Sequence, residues 1–200
     1  MAEAIYLLRH GETVWNRDRR IQGQLDAPLT RLGTEQAWAM GETLRELLQD
    51  RPPAALQVST LGRCRQSAAL VCEAAGLDFA AADFRPELME LHYGAWQGQR
   101  KPDLRRAQPE LWARRESERW TFAPEGGESY AQASRRIADW LERLKRQEGT
   151  VVAVLHGGTS ILARGLYAGL APAGLLAQDF PQNAFYRLAA GTVTRFDTGL

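Results

Sequence analysis

The stretch LLRHGET, residues 7–13, ends the first apolar run of the chain. An apolar run as short as residues 4–8 predicts a buried strand, so Arg9 and His10 follow at its carboxyl end. Open α/β sheets usually bind their ligands at the carboxyl ends of their strands. The heptapeptide therefore predicts an α/β fold with a functional site around His10.

A second histidine has the same placement. Residues 150–155 form a continuous apolar and β-branched run, typical of a strand buried on both faces, and His156-Gly157-Gly158 follows it directly. A glycine after a histidine lets the backbone approach a ligand closely and offer N–H groups to an anion. We therefore expect His10 and His156 to share one cleft that binds an anion such as phosphate.

The remaining segments alternate between helix and strand patterns. Thr30 and Ser129 are predicted to cap two amphipathic helices, and Gly76 is expected to end a third helix over residues 62–75. Three short runs have strand character: residues 56–59, 185–188 and 193–196. The last two runs predict an edge hairpin. This alternation predicts a three-layer α/β sandwich with a mostly parallel central sheet.

Length and composition predict a single domain over residues 1–200, because a chain of this size with 44% hydrophobic residues can bury one core. Residues 84–125 are the least regular part, and we expect this segment to pass over the sheet and cover the substrate. The formal net charge is +1 with mixed signs along the chain, which predicts neither a nucleic-acid nor a membrane partner. No face is obviously committed to a protein partner, so the oligomeric state is left open.

The two cysteines give no disulfide. Cys64 and Cys72 are eight positions apart in one predicted helix, about 12 Å along its axis, and a disulfide cannot span that distance. No apolar stretch approaches the roughly 20 residues that a membrane-spanning helix needs. A cytoplasmic, reducing location is therefore the default expectation.

Other chemistries lack their motifs. There is no His-x-x-x-His or Cys-x-x-Cys spacing for a metal, and we expect both cysteines to lie away from the two histidine loops. There is no Gly-x-Ser-x-Gly elbow for a serine hydrolase and no Gly-x-x-x-x-Gly-Lys loop for a nucleoside triphosphate. We expect no metal and no cofactor.

The motifs together resemble a known family. Residues 7–16, LLRHGETVWN, look like the signature of the histidine phosphatase superfamily, which includes the cofactor-dependent phosphoglycerate mutases. Five further segments resemble family elements in the same order: residues 22–33, 59–63, 90–98, 124–129 and 155–158. Thr60 stands where the family usually has proline, which we expect to alter only the local turn. The resemblance covers nearly the whole chain and implies a phosphoglycerate mutase-like fold.

The resemblance also implies roles for the residues around the first histidine. His10 would be the nucleophile, because a neutral imidazole can attack phosphorus and hold the phosphoryl group as phosphohistidine. Arg9, Arg63 and His156 would surround the phosphoryl oxygens and neutralise the charge of the transition state. Asn16 and the backbone amide of Gly157 would add uncharged donors to the same oxygens.

Glu90 would be the general acid that protonates the leaving alkoxide. Outside its motif, a glutamate at this position would be interpreted as a solvated loop residue, and Glu87 is its nearest competitor. Gln22 and Gly23 would line the site, and Tyr93 would contact the alcohol portion of the substrate. His92 is predicted to be a loop residue without a catalytic role.

Two arginine pairs, Arg105-Arg106 and Arg114-Arg115, are candidates for a second anionic group of the substrate, although most such charge runs are simply solvated. The pair Arg114-Arg115 resembles the one with which mutases hold carboxylate and phosphate.

The function implied by the resemblance is metal-independent hydrolysis of a small phosphorylated metabolite through a phosphohistidine. α-Ribazole phosphate, a sugar phosphate or a broad range of monoesters would be the substrate. A phosphatase is favoured over a mutase, because mutases tend to carry longer insertions between the acid motif and the second histidine. A cofactor-dependent phosphoglycerate mutase remains the alternative, and a non-catalytic module that binds phosphorylated ligands is the second alternative.

Overall fold

The computed structural model describes residues 2–49 and 51–200. Six strands form one sheet: β1 (Ala4–Arg9), β2 (Ala55–Ser59), β3 (Ala82–Arg85), β4 (Thr150–Leu155), β5 (Ala184–Ala189) and β6 (Thr192–Asp197). Their order across the sheet is β3-β2-β4-β1-β5-β6. The first four strands of this order run parallel, whereas β5 and β6 are antiparallel to their neighbours. The predicted α/β sandwich with a mostly parallel sheet is confirmed.

The register of the two central strands brings the two histidines together. β1 and β4 pair in parallel with Arg9 opposite Leu155. The residue that follows each of these is a histidine, so His10 and His156 leave the same edge of the sheet side by side. This register is the main contribution of the fold to the site.

Helices cover both faces of the sheet. Eight are present in the described residues: α1 (Val14–Arg17), α2 (Arg31–Leu48), α3 (Gly62–Ala75), α4 (Lys101–Ala107), α5 (Pro109–Ser117), α6 (Tyr130–Leu144), α7 (Gly157–Tyr167) and α8 (Pro172–Leu176). Short 3₁₀ turns lie at Phe79–Ala81, Pro86–Leu88 and Gly94–Trp96. No helix in this described part of the chain is long and apolar enough to cross a membrane.

The core has one layer on each side of the sheet. Val151, Ala153 and Leu155 of β4 pack with residues of α6 and α7, whereas Val152 and Val154 pack with residues of α2 and α3. Successive side chains of a strand point to opposite faces. Both faces of β4 are therefore buried, which explains its uninterrupted apolar sequence.

The predicted helix boundaries are confirmed by their capping contacts. The Thr30 hydroxyl accepts a hydrogen bond from the Gly33 amide at 3.0 Å and starts α2. Ser129 and Gln132 form a reciprocal capping box at the start of α6. Gly76 ends α3 with φ of +69°, a left-handed conformation that favours glycine.

Three sequence predictions need correction. β3 was not predicted, and it places Phe84 and Arg85 in the sheet rather than in the excursion over it. The excursion also contains two helices, α4 and α5, where irregular structure was expected. Finally, β5 pairs with β1 as well as with β6. Only β6 of the predicted edge hairpin is therefore at the edge of the sheet.

Candidate active site

His10 is held in one defined orientation directly after β1. Its backbone amide donates to the Leu155 carbonyl at 3.0 Å, and its Nδ1 is 2.8 Å from the Gly11 carbonyl oxygen. Because a carbonyl oxygen only accepts, Nδ1 carries the proton and Nε2 is unprotonated. Burial, followed by the nearby Arg63 and Arg9 guanidinium groups, lowers the pKa of His10 well below its usual value. The ring is therefore neutral and able to act as a nucleophile.

Gly11 allows the loop after β1 to pack against the start of α2. A Cβ atom at Gly11 would lie 2.0 Å from the carbonyl oxygen of Gly33, far inside van der Waals contact. The Gly11 amide donates instead to the Ser67 hydroxyl at 3.0 Å. The histidine–glycine pair of the motif is thus required by packing as well as by access to the site.

Arg63 connects the two histidines. It is buried in the first turn of α3, and its Nε is 3.3 Å from His10 Nε2 and 3.2 Å from His156 Nδ1. Its Nη1 donates to the Asp26 carboxylate at 3.0 Å and its Nη2 to the Gly23 carbonyl at 2.6 Å. A guanidinium whose three nitrogens are all hydrogen-bonded loses little further conformational freedom when it binds an oxyanion.

His156 lies on the other side of Arg63. Its ring is fully buried, with its centroid 5.2 Å from that of His10. Burial lowers the pKa of His156 well below its usual value, and Arg63 and then His10 add to the effect. Its Nε2 is 2.8 Å from Ser59 Oγ.

Arg9 and Gly157 lie together next to this group. The guanidinium of Arg9 donates to the Phe180 carbonyl, and its carbon is 5.3 Å from the centre of the Phe180 ring. Its Nε has no hydrogen-bond partner among the described residues. A Cβ at Gly157 would lie 3.3 Å from this Nε, so the first turn of α7 and Arg9 can approach the same anion. Burial lowers the pKa of Arg9 to about 10, and the guanidinium stays charged at neutral pH.

Asn16 lies on the wall formed by α1. Its Oδ1 accepts from the Thr13 amide at 3.1 Å and from Gln182 Nε2 at 3.2 Å. Gln182 Nε2 also donates to the His10 carbonyl. Because these contacts occupy the oxygen, the amide nitrogen of Asn16 is the group of this side chain that is left to donate to a ligand.

Glu90 is half-buried and fixed by two backbone amides. Its Oε2 accepts from the Gly158 amide at 3.1 Å, and its Oε1 from its neighbour Leu91 at 3.0 Å. A Cβ at Gly158 would lie 2.4 Å from Glu90 Oε1, so glycine at this position makes room for the carboxylate. Glu90 is therefore directed at the start of α7 beside His156. Glu87 instead forms an ion pair with Arg143 at 2.6 Å.

One cavity of about 120 Å³ collects most of the predicted site residues. The predicted residues that line it are Arg9, His10, Asn16, Gln22, Gly23, Arg63, Glu90, Tyr93 and Gly157. His156 lies behind this wall in contact with Arg63. Gln22 is buried, and its Oε1 has no partner among the described residues. Burial raises the pKa of Tyr93 well above its usual value, which keeps its phenol neutral.

A larger cavity, of about 460 Å³, lies at the opposite end of the sheet. It is lined mainly by apolar residues of β1, α6 and α7, such as Ile5, Leu141 and Leu166. Its ion pair, Lys145 with Glu142, is internally neutralised. This cavity lacks the converging donors that a phosphate requires.

Three cations of the smaller cavity were not predicted from the sequence: Arg20, Lys101 and Arg119. Arg115, a candidate for a second anionic group, also lines it. Lys101, Arg115 and Arg119 lie on or directly after α4 and α5, the helices that were expected to be irregular. No periodicity or spacing marks these positions, because only the packing of distant segments directs them to the site. Trp112, Tyr130 and Phe180 were also not predicted to line it: Trp112 lies on α5, Tyr130 starts α6, and Phe180 lies between α8 and β5.

The two arginine pairs behave differently. Arg115 lines the cavity, whereas Arg114 is exposed and pairs with Glu118 at 3.2 Å. Arg105 and Arg106 do not line it, and Arg106 pairs with Asp103. Adjacent residues of a helix point about 100° apart, so one member of each pair at most can face the site.

One expectation about the cysteines was wrong. Cys64 Sγ is 3.4 Å from His156 Nε2, because the first turn of α3 packs on the carboxyl end of β4. Burial strongly raises the pKa of Cys64, so it remains a thiol.

His92 is a loop residue whose Nδ1 accepts from the Gly94 amide. Within residues 2–49 and 51–200, no group of three His, Cys, Asp or Glu side chains is placed to hold a metal ion.

Comparison with known proteins agrees with this geometry. A probable phosphoglycerate mutase GpmB from Erwinia tasmaniensis is 42% identical over 108 residues, which are 54% of this chain and 46% of that protein. A metal-independent phosphoserine phosphatase from Arabidopsis thaliana is 35% identical over 158 residues, 77% of this chain and 64% of that protein. The chain thus matches about half to two thirds of the length of these relatives.

The solved structure of the α-ribazole phosphatase from Shigella flexneri has the same fold. It superposes with a TM-score of 0.81 at 25% identity and covers 97% of this chain and 95% of that chain. Residues 5–191 match the model of the histidine phosphatase superfamily (branch 1). The structure brings both histidine loops, Arg63 and Glu90 together, and the family match spans nearly the full length of the chain. The chain therefore belongs to the histidine phosphatase superfamily.

Proposed function

We propose that this chain hydrolyses a small phosphomonoester through a phosphohistidine on His10, without a metal ion or a cofactor. The orientation of His10 carries this proposal: its Nδ1–H donates to the Gly11 carbonyl, and its unprotonated Nε2 accepts from Arg63 Nε on the side of the cavity. A neutral imidazole with a directed lone pair is the nucleophile that phosphoryl transfer to histidine needs.

The reaction proceeds in two balanced steps. His10 Nε2 attacks phosphorus, the bond from phosphorus to the ester oxygen breaks, and Glu90 donates its proton to the leaving alkoxide. A water molecule then attacks the phosphohistidine and gives its proton to Glu90. Orthophosphate leaves, and both His10 and Glu90 return to their starting states.

Donors around His10 stabilise the phosphoryl group. Four donor groups surround the cavity next to His10: the unpartnered Nε of Arg9, the guanidinium of Arg63, the amide nitrogen of Asn16 and the first amide of α7. Such donors act on the charge that develops in the transition state, and the loss of one typically costs about 10²- to 10³-fold in rate. His156 contributes from behind Arg63.

The charge of the cavity supports a substrate with a second anionic group. Beyond Arg9 and Arg63, four cations line the cavity, and Glu90 is the one carboxylate among its described lining residues. Arg115 pairs with Glu116, whereas Arg20, Lys101 and Arg119 form no ion pair among the described residues, so a simple phosphomonoester would leave these three cations unbalanced. Phosphorylated acids such as phosphoserine match the charge better than phosphates of neutral sugars, and α-ribazole phosphate and a broad specificity remain to be compared with them.

The remaining excursion, residues 86–125, supplies this part of the site, and we propose that it belongs to the single domain predicted from the sequence. Lys101, Trp112 and Arg115 all reach the cavity from it, which supports its role as the substrate cover. A cytoplasmic location and the lack of nucleic-acid and membrane partners stay predictions from the sequence.

Phosphoglycerate mutase activity is the second candidate, because Lys101 and Arg115 could also hold the carboxylate of a phosphoglycerate. In that reaction His10, first phosphorylated by 2,3-bisphosphoglycerate, would transfer its phosphoryl group to the free hydroxyl of a monophosphoglycerate and then take the other phosphoryl group from the bisphosphate so formed, which releases the isomer. A non-catalytic binding module is less well supported, since such a module would not need Glu90 held between two backbone amides.

The experiment is a parallel assay without added metal and with a chelator. In one reaction the protein is incubated with 3-phosphoglycerate plus a trace of 2,3-bisphosphoglycerate. In separate reactions it is incubated with phosphoserine, α-ribazole phosphate and sugar phosphates. Free phosphate and 2-phosphoglycerate are both followed. We expect phosphate release without isomerisation, and an alkaline-quenched phosphohistidine that is absent in His10→Ala. Rapid formation of 2-phosphoglycerate would establish the mutase, and binding without turnover would establish the module.

A further inference from the structure

The ring of His156 lies between the guanidinium of Arg63 on one side and the hydroxyl of Ser59 on the other. Its Nδ1 lies 3.2 Å from Arg63 Nε, and its Nε2 lies 2.8 Å from Ser59 Oγ. Ser59, at the end of β2, is fully buried, as is His156 itself. The mechanism above uses His156 but assigns nothing to Ser59.

The contacts define where the proton of His156 lies. A guanidinium can only donate hydrogen bonds, so Nδ1 accepts from Arg63 and carries no proton in the empty site. The remaining ring proton of the neutral imidazole is then on Nε2, and it is directed at the hydroxyl oxygen of Ser59. This tautomer is the reverse of that of His10, whose proton is on Nδ1.

Cys64 is a poor substitute for Ser59. Its Sγ is farther from Nε2, at 3.4 Å, and at the same distance from the Leu155 carbonyl, to which the thiol can donate. Sulfur is a weak acceptor of hydrogen bonds. Among the described residues that touch His156, Ser59 therefore offers the best acceptor for the Nε2 proton.

We propose that Ser59 is a positioning residue for His156. By accepting a hydrogen bond from Nε2–H, it keeps Nδ1 facing the reaction centre. Nδ1 can then take up a proton and donate it to a phosphoryl oxygen. The proposal rests on the phosphoryl-transfer function given above. A bound phosphoryl group favours the protonated ring, since an opposite charge nearby stabilises the charged form. Without Ser59, protonated His156 would keep a buried N–H with no strong partner, which is costly.

The groups around His156 come from several elements. Arg63 and the Cys64 thiol lie on α3, His10 and Arg9 follow from β1, Arg136 acts from α6, and Glu90 approaches the start of α7. All of these groups remain in a Ser59 variant. A change in the state of His156 in that variant is therefore due to the lost hydroxyl.

The test is ¹⁵N NMR of the histidine rings in the full chain, empty and with vanadate, a mimic of the transferring phosphoryl group. The chain has three histidines, so spectra of His10→Gln and His92→Gln assign the signals. In the wild type we expect His156 to be protonated at Nε2 alone when empty and at both nitrogens with vanadate. Ser59→Ala should lose the doubly protonated state and bind vanadate about 10- to 100-fold more weakly, and Ser59→Thr should restore at least half of the lost affinity.

Cys64→Ala is the matched control, because it removes the other neighbour of Nε2 and keeps the hydroxyl. It should give the wild-type pattern of His156 protonation. The proposal is overturned if Ser59→Ala, folded by its amide spectrum, keeps both the His156 signals and the vanadate affinity of the wild type. It is also overturned if Cys64→Ala alone changes the tautomer. Vanadate binding and ring protonation are measured without turnover, so a failure of the hydrolase proposal would appear only in the activity assays.

Discussion

The rings of His10 and His156 meet edge to face, with their centroids 5.2 Å apart and their planes at 61°. Both face the single Nε–H of Arg63. Three basic groups can be buried this close together only if two of them are neutral, because like charges disfavour each other. The empty site therefore holds the positive charge of Arg63 next to two neutral rings and is prepared to receive an anion.

This arrangement predicts that acid destabilises the fold. The pKa values of His10 and His156 are lowered by burial and by Arg63, so the unfolded chain binds protons at both positions before the folded protein does. Below about pH 6.5, the free energy of unfolding should fall with pH by up to about 1.4 kcal/mol per unit for each histidine, until the pH reaches the folded pKa values. Urea unfolding at pH 7.5, 6.5 and 5.5 measures this.

The double variant His10→Gln, His156→Gln serves as the comparison. It removes both groups, and its unfolding free energy should change much less over the same pH range. Equal slopes in the wild type and the double variant would show that the two histidines are not held neutral by the fold.

Glu90→Gln should separate two classes of ester. The substitution keeps an oxygen for the backbone amides but cannot donate a proton to a poor leaving group, so hydrolysis of alkyl phosphates should fall about 10²- to 10³-fold. Aryl phosphates such as p-nitrophenyl phosphate leave as stable anions and should lose less than about tenfold in the first step. Pre-steady-state release of the alcohol or phenol measures that step for both substrates. Equal losses on both would contradict the role of leaving-group acid.

Gly158→Ala should resemble Glu90→Gln without touching the carboxylate itself. The new Cβ would meet Glu90 Oε1 at 2.4 Å and Leu91 Cδ1 at 2.7 Å, so the flexible end of Glu90 must move. We expect alkyl ester hydrolysis to fall at least about tenfold, with a small loss of thermal stability, typically about 1–3 kcal/mol for an overpacked site. Activity on both ester classes and thermal melting measure this.

Gly174→Ala in α8 is the corresponding control, since its nearest neighbour would be 3.6 Å away, an ordinary contact. If both alanine variants retained wild-type alkyl ester hydrolysis, the close approach of Gly158 and Glu90 would have no part in catalysis.

Arg115 and Arg114 provide a matched pair for the second anionic group. Arg115 lines the cavity, whereas Arg114 points to Glu118. Arg115→Ala should lower kcat/KM for phosphoserine or 3-phosphoglycerate by about tenfold or more, as expected for a lost charge-assisted hydrogen bond. Its effect on p-nitrophenyl phosphate, which has no second anionic group, should stay within about threefold.

Arg114→Ala should change neither substrate by more than about twofold, because exposed ion pairs contribute little. A loss in Arg114→Ala as large as that in Arg115→Ala would contradict the assignment of the second anionic group to Arg115 alone.

Local patterns were enough for much of the fold. The caps at Thr30 and Ser129 and the stop at Gly76 satisfy backbone groups a few residues away, so their chemistry is visible in the sequence. β3 was missed because four residues with a half-exposed pattern carry little local signal. Their pairing with β2 depends on a partner more than twenty positions earlier in the chain.

The sequence by itself determined the two histidine loops and the order of the helices and strands that present them, since these depend on residue types at fixed local spacing. Only the tertiary structure decided that Ser59 and Cys64 contact His156, and that Arg20, Lys101, Arg115 and Arg119 share one cavity. Such contacts follow from strand register, from the face that a helix turns to the sheet and from the path of α4 and α5. These are properties of packing between distant segments, and no local pattern of residues encodes them.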